Sequence, residues 1–387
     1  MNHETKYNQR LDFLNKVEEF VEKYSRKRKS VVPNLSGWSN DECFREAMSQ
    51  AIFVPKSTTK TDILSYIYTY GIDEGIRNEI KYRLGCMDHN EIIIFPNNTI
   101  SIVNTINYMA KIGLKNVIIL SPYYFTIPEL MENRNIKFDI IPLIHTDNGF
   151  RVPHEEITRK NYDSMIITSP IFTTGIYYSE EDIWFFEKYL KTGNYLIADE
   201  SLAAPQHELV RRLGRYENFI SIYSPHKFIH CNAMKFSVLV HSKSNHDFFE
   251  RWNDYYSGSL GLSSLTAINH FLSENYAYAT KTFFEIINKR KEMLKQLLTL
   301  YPSFYMDEKS TGGYCHIFNN TIKYKFLNSL PSIKTLVANT NTLVLPNILH
   351  GFLPAQGFGF RLNLSAFNTH AQTSLAMVLA YLNSIPT

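Results

Sequence analysis

The 387-residue chain has little cysteine. Its four thiols, Cys43, Cys86, Cys231 and Cys315, lie far apart with no C-x-x-C spacing, which argues against a zinc site or a disulfide framework and suits a reducing compartment. Charge of one sign is also lacking: 40 basic against 37 acidic side chains leave a net +3, too balanced to advertise a nucleic-acid partner. No apolar run approaches the roughly 18 residues that a membrane span needs, and the opening Met-Asn-His-Glu-Thr-Lys carries no apolar signal segment. The expectation is a soluble, cytoplasmic protein that uses no metal, membrane or nucleic acid. Repeats and Pro/Gly/Ser-rich tracts are missing too, and with 44% hydrophobic and 20% charged residues wholesale disorder is excluded.

Aromatic residues, by contrast, are plentiful, with 26 Phe and 25 Tyr beside only 3 Trp. They signal large cores, with room for a stacking site. Because single cores stop growing near roughly 250–300 residues, a chain of this length is expected to form two packed domains.

Leu11, Leu14, Val17, Phe20 and Val21 recur at helical spacing within residues 9–30, a helix that ends in the basic run Lys23-Tyr24-Ser25-Arg26-Lys27-Arg28-Lys29. That run reads as a solvated helix end complementing the macrodipole, or as a phosphate contact. From residue 91 the pattern becomes short apolar runs bounded by turn signals: Glu91–Phe95, Asn116–Leu120, Phe138–Leu143, Met165–Thr168, Tyr195–Ala198, Phe219–Tyr223 and Phe236–Val240. They are rich in Ile and Val and apolar on both faces, as strands covered on two sides must be. Helical segments such as Ile100–Ile112 and Glu180–Lys191 separate most of them, giving repeated βαβ units and a mostly parallel, doubly wound α/β sheet. Asp147-Asn148-Gly149 marks a surface hairpin. A long helix over about 262–299, strand-like Gly313–Phe318 and Thr342–Leu345, Gly-rich Gly351–Gly359, the segment Phe360–Leu364 and a helix over about 367–383 predict a smaller α+β domain.

In such sheets ligands bind beyond the carboxyl ends of the strands. Four polar groups stand there: Asn97-Asn98-Thr99, Tyr123-Tyr124, Asp199-Glu200 and Ser224-Pro225-His226-Lys227. Asn98 and Thr99 open a helix, as an ordinary N-cap or as an anion site. Asp199, closing an apolar strand, is a helix cap or a carboxylate met by a cation or hydrogen-bond donor. Lys227, after another apolar strand, is a surface lysine or a partly dry, nucleophilic amine.

In their order these motifs resemble the fold-type I pyridoxal-phosphate enzymes, specifically the aspartate-aminotransferase-like class I/II aminotransferases. The match runs from about Tyr66 to Arg361, and Ser224-Pro225-His226-Lys227, 28 residues after Asp199 and followed by Lys235, looks like the family's Ser-x-x-Lys segment with its basic phosphate ligand. The resemblance implies pyridoxal 5'-phosphate as cofactor, held as an aldimine on Lys227. Ser224, Lys235, Asn98 and Thr99 would bind its phosphate, Asp199 its pyridine nitrogen, and Tyr124 would stack on the ring. Phe360-Arg361-Leu362-Asn363 is similar to the motif whose arginine takes the substrate α-carboxylate, a task suited to a guanidinium fork. Gly37-Trp38 resembles the loop that closes over substrate, and Tyr66 or Tyr68 would be lent to a neighbouring subunit in a homodimer. The implied limits are an N-terminal helix and arm at 1–45 that packs with the small domain, a large cofactor-binding domain at 46–285 and a small domain at 286–387.

Two departures stand out. Ser169-Pro170-Ile171-Phe172-Thr173-Thr174-Gly175 puts Phe172 where the family has the asparagine that bonds the cofactor's phenolic oxygen, and Asp199-Glu200-Ser201-Leu202 lacks the family's tyrosine. Both usual partners of that oxygen are gone, His226 is a candidate replacement, and Lys235 stands in place of an arginine. The implied function is an amino-acid aminotransferase releasing a keto acid. The alternatives are a decarboxylase, lyase or oxidase on the same scaffold, and a degenerate relative without turnover. Side-chain selectivity is not legible in the sequence.

Overall fold

All seven apolar runs between residues 91 and 240 form strands of one sheet, as a chain this rich in doubly buried Ile and Val requires. The computed structural model describes residues 4–52, 73–146, 149–256, 260–319, 321–322 and 327–385, and Tyr66, Tyr68, Asp147 and Asn148 lie outside them. In chain order the strands are β1 (Asn90–Phe95), β2 (Asn116–Ser121), β3 (Lys137–Pro142), β4 (Ile144–Thr146), β5 (Gly149–Arg151), β6 (Ser164–Thr168), β7 (Tyr195–Glu200), β8 (Phe219–Tyr223), β9 (Ser237–Ser242), β10 (Phe304–Tyr305), β11 (Tyr314–Asn319) and β12 (Phe358–Asn363). The large sheet has the order β1-β9-β8-β7-β6-β2-β3. Every neighbouring pair in it is parallel except the two that β9 makes, with β1 and with β8. The expected hairpin is the antiparallel pair β4–β5.

Alternation along the strands divides the interior in two. Ile92, Ile94, Ile118 and Leu120 join one buried cluster, while Ile93, Phe95, Val117 and Ile119 join the other. Successive side chains point to opposite faces, so helices cover both sides of the sheet.

The smaller sheet is antiparallel, β10-β11-β12, flanked by helices Leu330–Thr340 and Thr369–Asn383. The expected strand Thr342–Leu345 is not one. It lies beside the N-terminal segment, where Leu35 N donates to Leu343 O at 3.1 Å and Leu345 N to Ser36 Oγ at 2.9 Å, with single bridges Asn34–Leu343 and Pro346–Phe360. The expected long helix is continuous over residues 262–298, with a π-helical turn Phe271–Asn275 set between Leu262–His270 and Tyr276–Leu298.

The N-terminal helix spans Glu4–Arg28 and packs against two helices, Thr126–Glu132 beside the large sheet and Leu330–Thr340 beside the small one. Its basic end is solvated: Lys23 pairs with Glu19 and Arg26 with Glu22, all exposed. No helix among the described residues is long and apolar enough to cross a membrane.

Candidate active site

Three strands of the large sheet deliver polar residues to its carboxyl edge. After β1 the chain turns directly into the helix Asn98–Lys111, capped by Asn97, whose side chain accepts from Ile100 N at 3.0 Å. The cap is therefore Asn97, one residue before the two expected, because Asn97 is the residue in extended conformation. Asn98 is left free for other bonds, and its amide lies 3.5 Å from Asp199 Oδ2 while its carbonyl accepts from Ser237 Oγ at 3.4 Å. The free N–H groups of this first helical turn, with the positive end of the dipole, favour an anion.

Asp199, near the end of β7, is buried and does not cap a helix. Its Oδ1 accepts from Ser201 N at 3.1 Å and from the Ser201 hydroxyl, which fixes the carboxylate in place.

The antiparallel strand β9 explains why Ser224, Lys227 and Lys235 stay close. β8 ends at the carboxyl edge and β9 starts there, so the chain between them, residues 224–236, stays at that edge instead of crossing the sheet. Ser224 precedes the short turn Pro225–Phe228, and its hydroxyl is buried without a partner. Burial lowers the pKa of the Lys227 ammonium, while the charge of Asp199 pulls it part of the way back. His226 packs on Phe236 with centroids 4.8 Å apart, and burial followed by the neighbouring Lys227 charge holds its pKa at about 3. It is neutral at ordinary pH, with Nδ1 unpartnered.

On β12, Arg361 is almost wholly buried, and desolvation draws its pKa down to about 10. Nε donates to Ser36 O at 2.8 Å, one terminal nitrogen donates to the same carbonyl, and the other, Nη1, has no partner. Ser36 Oγ in turn donates to Arg361 O, and Asn363 Nδ2 donates to Gly37 O and Ser39 O, both at 3.0 Å. These bonds hold the Gly37-Trp38 loop against the small sheet.

One cavity of about 910 Å³ collects most of this. Gly37, Trp38, Asn98, Thr99, Tyr124, Phe172, Asp199, Lys227, Lys235 and Arg361 all line it; of the expected residues within the described part only Ser224 does not. Phe172 packs on Tyr124, centroids 5.9 Å apart, and Leu202 is also in the wall, so the two positions read as departures are apolar surface of the cavity itself. Sequence reasoning missed Ser36, Ser201, Thr168 and His350. Ser36 acts on Arg361 through a main-chain carbonyl, which leaves no side-chain signature. Ser201 stands within the segment Asp199-Glu200-Ser201-Leu202, and its place two residues after Asp199 is its sequence signal, while Thr168 meets Asp199 only across the β6–β7 ladder.

The sequence matches no protein-family model, and no curated protein matches it either. Solved structures do. An aspartate aminotransferase from Rhizobium meliloti superposes with a TM-score of 0.72 at 14% identity, covering 96% of each chain. The N-succinyldiaminopimelate aminotransferase of Mycobacterium tuberculosis gives 0.70 at 17%, covering 90% of this chain and 92% of its own. A pyridoxal-phosphate-bound C-S lyase from Staphylococcus hominis gives 0.65 at 14%, covering 89% of both. The chain is similar to all three along nearly its whole length, and it has the large-sheet, small-sheet fold that they share.

Proposed function

Starting from that shared fold, we propose that the chain is a pyridoxal-phosphate-dependent enzyme acting on an amino acid, and specifically an aminotransferase. The observation that carries the reading is the composition of the cavity wall: an amine with depressed basicity, a fixed carboxylate, a helix N-terminus and an arginine with one unpartnered, buried guanidinium nitrogen line the same space.

The residues present fit that cofactor. The buried hydroxyl of Ser224 lacks a partner, as expected of a phosphate ligand, and lies in the same loop as Lys235. With the N–H groups of Asn98 and Thr99 they would take the phosphate. Asp199 would hold a proton on the pyridine nitrogen, and Tyr124 would cover a ring face. When bound, pyridoxal phosphate supplies an electron sink for the bond broken at the substrate Cα.

The remaining roles belong to the chain. Lys227, with its ammonium destabilised by burial, would hold the cofactor covalently and, once displaced by the substrate amine, move the proton at Cα. Arg361 would fix the α-carboxylate through Nη1 while Ser36 immobilises the rest of its fork. Trp38 would shield that ion pair from water. A homodimer, a cytoplasmic setting, keto acid as co-product and the domain limits near residues 45 and 285 belong to the same proposal.

Borohydride reduction of protein loaded with the cofactor, followed by peptide mass mapping, tests it: the reading predicts one reduced adduct at Lys227, and protein without any lysine adduct refutes it. Phe172 and Leu202 favour a second reading, in which the same residues run a lyase, decarboxylase or oxidase reaction. Product identification separates them, since transamination returns a keto acid with an equal amount of aminated acceptor.

A further inference from the structure

Two residues of the cavity wall, Arg361 and His350, each keep a buried polar atom without a partner, Nη1 and Nε2 respectively. Arg361 is 2% exposed and His350 6%. Thr168 Oγ1 and His226 Nδ1 in the same wall are also unpartnered; unpaired buried groups are costly, and Arg361 with His350, both tied to His316, would suit a ligand with two acceptors.

Their arrangement is fixed from behind. His316 lies directly across from Arg361 in the β11–β12 ladder, so both side chains project from one face of the small sheet. His350, which ends the 3-10 turn Asn347–His350, meets His316 edge-on with centroids 5.6 Å apart. His316 is anchored in its turn, its Nε2 lying 2.8 Å from Thr173 Oγ1. Thr173 follows Phe172 in the chain, and the Phe172 ring itself lies 6.4 Å from His350. Burial, with the guanidinium of Arg361 adding to it, keeps His350 neutral. A neutral imidazole offers one N–H without adding a second cation to a site already served by Arg361.

We propose that His350 is a second ligand of the substrate α-carboxylate: Nε2–H binds one oxygen and Arg361 Nη1 binds the other. The inference rests on the amino-acid reading of the cavity given above. It predicts a site that discriminates a carboxylate from its amide, because the amide nitrogen would turn a donor toward one of two donors.

The test uses the cofactor-loaded protein with hexanoate and 3-phenylpropanoate, which carry a carboxylate and no amine, against their amides, with binding read by calorimetry. The wild type is expected to bind at least one of the carboxylates about 10-fold or more tightly than its amide. His350→Ala should lose about 10-fold of the carboxylate affinity and leave amide affinity unchanged. His350→Gln, a neutral donor, should keep most of it. A preference that survives His350→Ala, or a wild type that shows none, overturns the proposal. So does a shifted absorption spectrum of the ligand-free holoprotein with carboxylate affinity intact, which would assign His350 to the cofactor. Borohydride trapping on the same samples keeps the two failures apart: loss of trapping in the wild type refutes the enzyme reading, whereas trapping with an unaltered carboxylate preference refutes only the role of His350.

Discussion

The guanidinium carbon of Arg361 lies 4.1 Å from the centroid of the Trp38 ring, while the same guanidinium is bonded to the main chain of Ser36, two residues earlier. One short N-terminal segment thus both aims the arginine and covers it. Trp38 is 47% exposed, an unusual setting for a tryptophan unless its inner face has something to hold.

Trp38→Ala should weaken carboxylate binding rather than chemistry. A cation–π contact of this kind is worth about 0.5–2 kcal/mol, so KM for an amino acid should rise by about 2- to 30-fold with kcat changed much less. Steady-state kinetics read both constants, and a fall in kcat at constant KM would contradict the assignment.

Lys227→Ala should abolish borohydride trapping and lower the single-turnover rate by about 10²–10⁴. The wild-type rate should rise with pH and level off below the ordinary lysine range near about 10.4, since burial lowers the ammonium pKa. The sign for stability follows. The folded state gives up this proton before the unfolded chain does, so the penalty is full at low pH and is relieved as pH climbs through the window between the two pKa values. Melting curves of the cofactor-free wild type and Lys227→Ala should therefore converge as pH increases through that window.

Glu200, beside Asp199, is fully buried, and its carboxylate accepts from Ser221 Oγ and from Leu209 N and Val210 N. Burial raises its pKa to about 8 against those bonds. Here the native state keeps a proton that the unfolded chain has lost, so its contribution is full below the unfolded value and is lost as pH rises toward about 8. Glu200→Gln should remove that slope. Its melting temperature relative to wild type should climb between about pH 4.5 and 8, and a constant difference would show that Glu200 is ionised throughout.

Phe172→Asn should act on the cofactor's phenolic oxygen. A donor placed there favours the charged oxygen and should move the absorbance transition of the loaded protein to lower pH. Because Phe172 packs on Tyr124, the change also removes core contact, at a cost of about 3 kcal/mol or more by analogy with Phe→Ala, visible in the melting temperature.

The sheet was legible because strands covered on both faces must be apolar throughout, and runs such as Phe219–Tyr223 have no other soluble use. The direction of β9 was not, since a buried antiparallel strand has the same composition as a buried parallel one. The helix Leu330–Thr340 carries a sequence signal of its own, Ser329 as N-cap with Pro331 in the first turn. In the site, Asp199 and Lys227 are legible as charges placed after apolar strands, and Arg361 through the resemblance of its segment Phe360–Asn363. His350 is not: it sits in an irregular turn whose place beside Phe172 and Arg361 depends wholly on tertiary folding.

The reversal of β9 also bears on the order in which the molecule can be built. β1 is an edge strand whose one partner is β9, and the chain must be made as far as Ser242 before that pairing exists. Strands β2, β6, β7 and β8 pair with near neighbours and can assemble earlier, so closure of the β1 edge is the long-range step that loop entropy makes slow. The helix N-terminus at Asn98 and the proposed phosphate loop are therefore brought together only once the chain has been made as far as Ser242.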